Sequence, residues 1–154
     1  MLEFHTIDLK RDRNRILQFR RNSFIESFGD CSSFDKNEYL TWIAGKVREF
    51  PDGFVGVWDQ NRLIGQVECS IRMHEGERIG YVHLFYLISE KRSMGLGVRL
   101  HEYALHFFQK HHVKEFHLRV SPNNSRALEF YKKMQMKYCG SELDGKVIRM
   151  KGKV

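Results

Sequence analysis

No run of apolar residues in this chain reaches the length of a bilayer span, and residues 1 to 20 carry charges throughout, with no apolar signal-peptide core. Both absences point away from a helical membrane protein or a secreted one, and the expected location is the cytoplasm. Cysteine is scarce: Cys31, Cys69 and Cys139 are far apart, odd in number and in no C-x-x-C pair. Neither a disulfide framework nor a thiolate zinc site is indicated. There is no internal repeat, no low-complexity tract and no dividing linker, so residues 1–154 read as a single domain.

What is present is an ordinary globular composition, 42% hydrophobic and 29% charged, with a formal net charge of +7. The excess of Lys and Arg makes an anionic partner plausible, either nucleic acid or a polyphosphate cofactor. The basic residues are scattered along the chain rather than gathered in a stripe with interleaved aromatics. Nucleic-acid binding is therefore not the favoured reading, and it would show steeply salt-dependent affinity.

Periodicity and turn residues give the order of elements. Residues 2–9 alternate weakly as a strand, and 11–28 carry Ile16, Leu17, Phe19, Phe24, Ile25 and Phe28 at helical spacing, stopped by Gly29. A second helix opens at Asp35, with Glu38 completing a capping box and Phe34 and Tyr39 as a staple, and ends before Pro51-Asp52-Gly53. Residues 54–58 and 62–73 read as a hairpin, and a turn at 74–77 leads into a third strand over 80–90. An amphipathic helix follows over 98–109, then a strand over 115–120. Strand, helix, strand implies a parallel pair with a right-handed crossover. Pro122 and Asn123-Asn124-Ser125 cap a last helix, and 137–142 with 146–151 close the chain as a hairpin. The class is mixed α/β.

The informative stretch lies between that third strand and the helix after it: Arg92-Ser93-Met94-Gly95-Leu96-Gly97. A glycine-bearing turn opening a helix aims several backbone N–H groups and the positive end of the helix dipole at one spot, which suits a phosphate or pyrophosphate. It is neither Gly-x-Gly-x-x-Gly nor a loop ending in Gly-Lys-Ser/Thr, so the dinucleotide fingerprint and the Walker A loop are both excluded. Further on, Asn124, Ala127, Phe130 and Tyr131 form Asn-x-x-Ala-x-x-Phe-Tyr. The two motifs, with the order of elements across the whole chain, resemble the GNAT superfamily of N-acetyltransferases. The family usually continues with Gly-Phe, where this chain has Gln135-Met136, a departure expected to change the exit of the last helix rather than the cofactor site.

The resemblance implies a GNAT-like, mostly antiparallel sheet with one splayed parallel strand pair, and acetyl-CoA bound in the splay. Its pantetheine arm would lie along the strand near Leu87 and Ile88, its pyrophosphate on the N–H groups of Met94 to Val98, and Arg92, Ser93, Asn124 and Ala127 would complete that side. Arg99 and Lys132 are further candidates for the phosphates. The chemistry implied is direct acyl transfer in a ternary complex: a neutral amine attacks the thioester, an oxyanion forms and is stabilised by N–H donors, and the coenzyme leaves as thiolate. By the same resemblance Tyr131 donates a proton to the departing sulfur. Its alternative is a packing aromatic beside Ala127 and Met134. A base must accept the amine's proton. The glutamate that several family members use aligns with Tyr81, a poor base, which leaves His83 on the same strand face and Glu68 on the preceding strand as candidates.

His101 and His106 mimic a zincin pair but stand five apart where a helical metal site needs four, so no metal is expected. The acceptor, a small-molecule or peptide amine, should enter between the first two helices, the loop 29–34 and the final hairpin. Oligomeric state, a homodimer included, is open. A second reading is a non-catalytic acyl-CoA-binding module that kept the cofactor site and lost its base.

Overall fold

The computed structural model describes all 154 residues. A seven-stranded sheet runs in the order β1-β2-β3-β4-β5-β7-β6. Its strands are β1 (Leu2–Thr6), β2 (Phe54–Asp59), β3 (Arg62–His74), β4 (Glu77–Leu87), β5 (Glu115–Val120), β6 (Lys137–Glu142) and β7 (Val147–Lys153). The helices are α1 (Arg13–Phe28), α2 (Lys36–Glu49), α3 (Leu96–Lys110) and α4 (Ser125–Lys133). Every neighbouring pair is antiparallel except β4 and β5, which α3 connects in parallel.

Local chemistry accounts for the boundaries. β1 stops at Thr6, short of the expected residue 9, because two carboxylates fold the next residues into a turn. Asp12 accepts the N–H of Asp8 at 2.9 Å, and Asp8 accepts those of Lys10 and Arg11 at 3.0 and 3.1 Å. α1 ends at left-handed Gly29 (φ 87°), whose N–H reaches the Ile25 carbonyl. Asp35 caps α2 through the N–H of Glu38 at 3.0 Å, and the rings of Phe34 and Tyr39 meet at 5.7 Å, as the sequence leads one to expect. The β2–β3 hairpin turns on Gln60 and Asn61, both at positive φ, and β3–β4 on Glu75 and Gly76, also both positive. These are the tight hairpin geometries that match strand twist.

The helices cover both faces of the sheet. On one, α3 buries Leu100, Ala104, Phe107 and Phe108, and Phe108 stacks on Phe116 of β5 at 5.2 Å. A Cβ on Gly80 would sit 2.4 Å from the Phe108 ring, so the glycine is what lets α3 lie this close to β4. On the other, Ile16 and Leu17 of α1 and Tyr39 and Ile43 of α2 form a smaller cluster with Ile7 and Phe54.

One irregularity shapes everything that follows. Glu68 pairs with Leu84 and Cys69 with Val82, so His83 is an extra residue in β4, a β-bulge. The parallel β4–β5 ladder spans only Gly80–Val82 against Phe116–Leu118 and stops where the bulge begins. Past it the two strands part.

Candidate active site

Where β4 and β5 separate, a cleft of about 590 Å³ opens, walled by α1, β4, the turn before α3, the end of β5 and α4. The N–H of Ile88 donates to the Ile64 carbonyl at 2.9 Å. In an alternating antiparallel ladder this turns the backbone groups of Leu84, Tyr86 and Ile88 toward β3 and those of Phe85 and Leu87 toward the cleft. Of the two residues expected beside a pantetheine arm, Leu87 lines the cleft and Ile88, 8% exposed, does not.

The turn after β4 has the geometry its glycines suggest. A 3-10 turn at Ser89–Lys91 leads into extended Arg92, then Ser93 (φ 61°) and Gly95 (φ 77°) adopt left-handed conformations, and α3 begins at Leu96. No side chain caps the helix, and no backbone acceptor takes the N–H groups of Met94 through Val98. Five uncommitted donors at a helix start have the arrangement that suits an anion. A Cβ on Gly95 would meet nothing within 4 Å, so this glycine supplies its dihedral rather than relief from crowding. Ser93, Gly95, Gly97 and Val98 face the cleft; Met94 and Leu96 do not line it, though their N–H groups belong to the same set.

The two sequence motifs touch each other. A Cβ on Gly97 would come within 3.0 Å of the Phe130 ring, so the second glycine of the turn is the seat of the phenylalanine of α4. Asn124 is the N-cap of α4, accepting the N–H of Ala127 at 3.2 Å, and both line the cleft. Tyr131 also lines it, with no intramolecular hydrogen bond to its hydroxyl, and burial pushes its phenol up to about 12. It stays protonated across the neutral range. Gln135 occupies the left-handed position (φ 64°) after α4, where the family pattern has glycine, and the N–H of Met136 closes back on the Tyr131 carbonyl at 3.0 Å. Met136 is buried. The helix thus exits through a non-glycine residue in the left-handed region, at a backbone cost of about 1 kcal/mol.

Charges at the cleft differ from the sequence expectation. Arg92 is there, its Nε donating to the Leu87 carbonyl at 2.8 Å and its Nη2 2.6 Å from Glu26 of α1. Arg99 and Lys132 do not line it; Arg126 and Lys133 do. Glu26 also holds Arg126 at 3.2 Å, so one carboxylate bridges two guanidiniums across the cleft.

A second cleft of about 480 Å³ lies beyond the first, between α1, the loop before α2, α2 and β4. Four residues line both: Arg20, Phe24, His83 and Arg119. His83, at the bulge, stands at the junction. Its Nε2 lies 2.7 Å from Ser70 Oγ, and Trp42 packs edge-on against it at 5.0 Å. Burial, then the charges of Arg20, Arg72 and Lys46, lower it to about 3, so its imidazole is neutral at physiological pH. Glu68, the other base candidate, is placed elsewhere. It is fully buried, faces neither cleft, and is tied to Arg20 at 2.5 Å, to the Tyr39 hydroxyl at 2.6 Å and to Gln66 Nε2 at 2.7 Å. Tyr81 lines the second cleft, raised mainly by burial and opposed by Arg119, Arg72 and Arg149.

Sequence reasoning missed the α1 wall, Arg20, Phe24 and Phe28, which recur every fourth residue and so share one helix face. That stripe was a usable signal. No cluster of His, Cys, Asp or Glu has the arrangement of a metal site, and His101 packs toward Phe116 at 5.9 Å. No helix is long and apolar enough to cross a membrane.

Comparisons with known proteins bear on this arrangement. The chain is 26% identical over 89 residues to N-alpha-acetyltransferase 30 of Schizosaccharomyces pombe, an overlap covering 57% of this chain and 59% of that protein. It thus spans about three-fifths of that relative's length. Ard1 of Thermoplasma volcanium has the same fold, with a TM-score of 0.78 at 19% identity over 99% of this chain and 97% of that one. So does Arabidopsis thaliana Naa50 in complex with the bisubstrate analogue CoA-Ac-MVNAL, at a TM-score of 0.71 and 16% identity over 98% and 97% of the two chains. Residues 13–136 match the family described as Acetyltransferase (GNAT), and with the paired motifs meeting at Gly97 and Phe130 the chain belongs to that family.

Proposed function

We propose that the protein transfers an acetyl group from acetyl-CoA to the α-amino group of a polypeptide N-terminus, by direct attack within a ternary complex. The observation that carries this reading is the junction of the two clefts, where the titratable base is a neutral, weakly basic imidazole and none of the four shared residues is a carboxylate. At pH 7.5 an α-amino group of pKa near 8 is already about a quarter deprotonated, whereas a lysine side chain is so for about one molecule in a thousand. A site without a strong base suits the first and not the second. The names of relatives support it: one is an N-alpha-acetyltransferase, and Naa50 binds an analogue joining coenzyme A to a peptide.

The residues fit the cofactor. Five free N–H groups from Met94 to Val98 suit a pyrophosphate, with Arg92, Arg126 and Lys133 near enough to the same cleft to meet further phosphate charge. Phe85 and Leu87 offer backbone groups along the arm. Acetyl-CoA would supply an activated thioester. Tyr131, held protonated, donates a hydrogen bond to the leaving sulfur; with its phenol near 12 it is a weaker acid than a thiol of about 8.5, so it steadies the thiolate rather than surrendering its proton outright. His83, its imidazole held to about 3, accepts a hydrogen bond from the attacking amine and orients it, and the amine's proton passes on to water.

The test is release of free coenzyme thiol with two peptides, one with a free N-terminus and no lysine, one blocked at its N-terminus and carrying an internal lysine. Mass spectrometry then locates the acetyl group. The free terminus should be acetylated about a hundredfold faster or more. Preference for the lysine would overturn the α-amine reading. The second reading, a coenzyme-binding module without turnover, rests on Tyr81 standing in the base position and Glu68 being locked away. It gains ground if coenzyme A binds but no amine elicits thiol.

A further inference from the structure

We infer that the second cleft is a binding chamber for the acceptor's first side chain, and that it selects a large, uncharged apolar one; this rests on the α-amine reading above. A continuous file of rings walls the chamber. Phe24 meets Phe34 at 5.3 Å, Phe34 meets Tyr39 at 5.7 Å, Tyr39 meets Trp42 at 6.1 Å, Trp42 meets His83 at 5.0 Å, and His83 meets Tyr81 at 4.8 Å. All six line the cleft, and two of them, Phe24 and His83, also stand at the junction with the first cleft, where the amine must sit. An amine placed at His83 therefore stands at the mouth of the ring-lined chamber, with the chamber within reach of its α-substituent.

The wall is rigid where it matters. The Tyr39 hydroxyl donates to Glu68 at 2.6 Å and accepts from Gln66 at 3.0 Å, inside a fully buried cluster, so its ring cannot swing aside. Glu68 thereby acts as a positioning residue, not a base. A preformed apolar chamber rewards size and shape at little ordering cost.

Charge decides between apolar and ionic occupants. Aromatic cages also bind cations, but here guanidiniums already lie over three of the rings, Arg20 over Tyr39 at 5.2 Å, Arg21 over Phe34 at 5.8 Å and Arg72 over Tyr81 at 4.4 Å. A cationic side chain would meet those like charges. An anionic one would pass Asp35 and Glu38, which line the same cleft. A neutral, bulky group meets neither obstacle.

The experiment measures kcat/KM at saturating acetyl-CoA for peptides identical except at the first residue: Met, Leu and Phe against Ala, Ser, Glu and Lys. The large apolar set should lead the small and charged set by about tenfold or more, the scale at which an apolar pocket discriminates by size. Trp42→Ala should narrow the Met-to-Ala ratio severalfold through the KM of the peptide, with the KM of acetyl-CoA unchanged. Phe34→Ala, a half-buried loop position, provides the same readout if Trp42→Ala does not fold. Acetylation of all peptides without preference, or preference for Ala, Ser, Glu or Lys, overturns the chamber while acetyl transfer to α-amines stands. Failure of every peptide, with coenzyme binding intact, overturns the α-amine reading itself.

Discussion

Five uncommitted backbone N–H groups gather at the start of α3, beside one cleft, while six rings from α1, α2, β4 and the loop before α2 wall the other. The first is contiguous in sequence and built of main chain; the second gathers residues from Phe24 to His83 and is built of side chains. A main-chain cradle serves any ligand with the same phosphates, so it can be common to a whole family. A side-chain chamber is set by this chain's own choices at each ring. On the proposed function, the contrast divides cofactor binding from the selection of acceptor, with His83 between them.

The largest effect that would sharpen this division belongs to Tyr131, on the cofactor side. Its hydroxyl makes no intramolecular hydrogen bond, so Tyr131→Phe removes a donor without unpairing anything in the fold. kcat should fall about a hundredfold, the scale of losing one hydrogen bond to a developing charge, while the Kd of coenzyme A by calorimetry stays within about twofold. Unchanged turnover would remove Tyr131 from the mechanism and return it to the packing role that its spacing with Ala127 and Met134 also allows.

At the junction a smaller effect is expected, in two measurements. Because His83 is held to about 3, first by burial and then by Arg20, it should contribute no inflection to the pH profile between 6 and 7. The rising limb of kcat/KM should instead track the acceptor, near 8 for an α-amine, and move when a peptide of different amine pKa is used. His83→Gln should lower kcat/KM by about tenfold. The sign for stability follows from the same shift: the folded pKa lies below the unfolded value of about 6.5, so the unfolded chain takes up the proton first. The stabilisation is complete above about 6.5 and is lost as pH falls toward 3. Thermal unfolding of His83→Gln should accordingly show a flatter acid limb than the parent, and an identical limb would mean that His83 is not what destabilises the fold in acid.

The same contrast explains what could be read from the chain before its structure was known. The glycine turn and the α4 motif were legible because each is a short string whose backbone role fixes residue type: Gly95 at φ 77°, Asn124 as a cap, Gly97 beneath Phe130. The caps and turns at Gly29, Asp35 and Gln60-Asn61 were legible for the same local reason. The bulge at His83 was not, since it exists only in the register of β4 against β3, and nothing in Val82-His83-Leu84 announces an extra residue. Glu68 illustrates the matching limit. Its strand face was readable, but its burial beneath α1 and α2, tied to Arg20 and Tyr39, depends on two helices far away in sequence.

The smallest expected effect tests whether the cofactor half is as generic as its main chain suggests. Glu26 on α1 sits 2.6 Å from Arg92 and 3.2 Å from Arg126, so without coenzyme one carboxylate occupies both cations that face the phosphate cradle. Phosphates must compete with it. Glu26→Gln removes the competitor's charge and should tighten coenzyme A binding by about two- to fivefold at low ionic strength, the scale of a partly exposed ion pair. The gain should vanish near 1 M salt, where screening reaches within about 3 Å. Desulfo-coenzyme A, which keeps every phosphate, should show the same gain, and a pantetheine fragment without phosphates should show none. A weaker Kd for Glu26→Gln would mean that Glu26 orients Arg92 for the cofactor rather than standing in its place, and that the cofactor half, too, depends on a side chain supplied by α1.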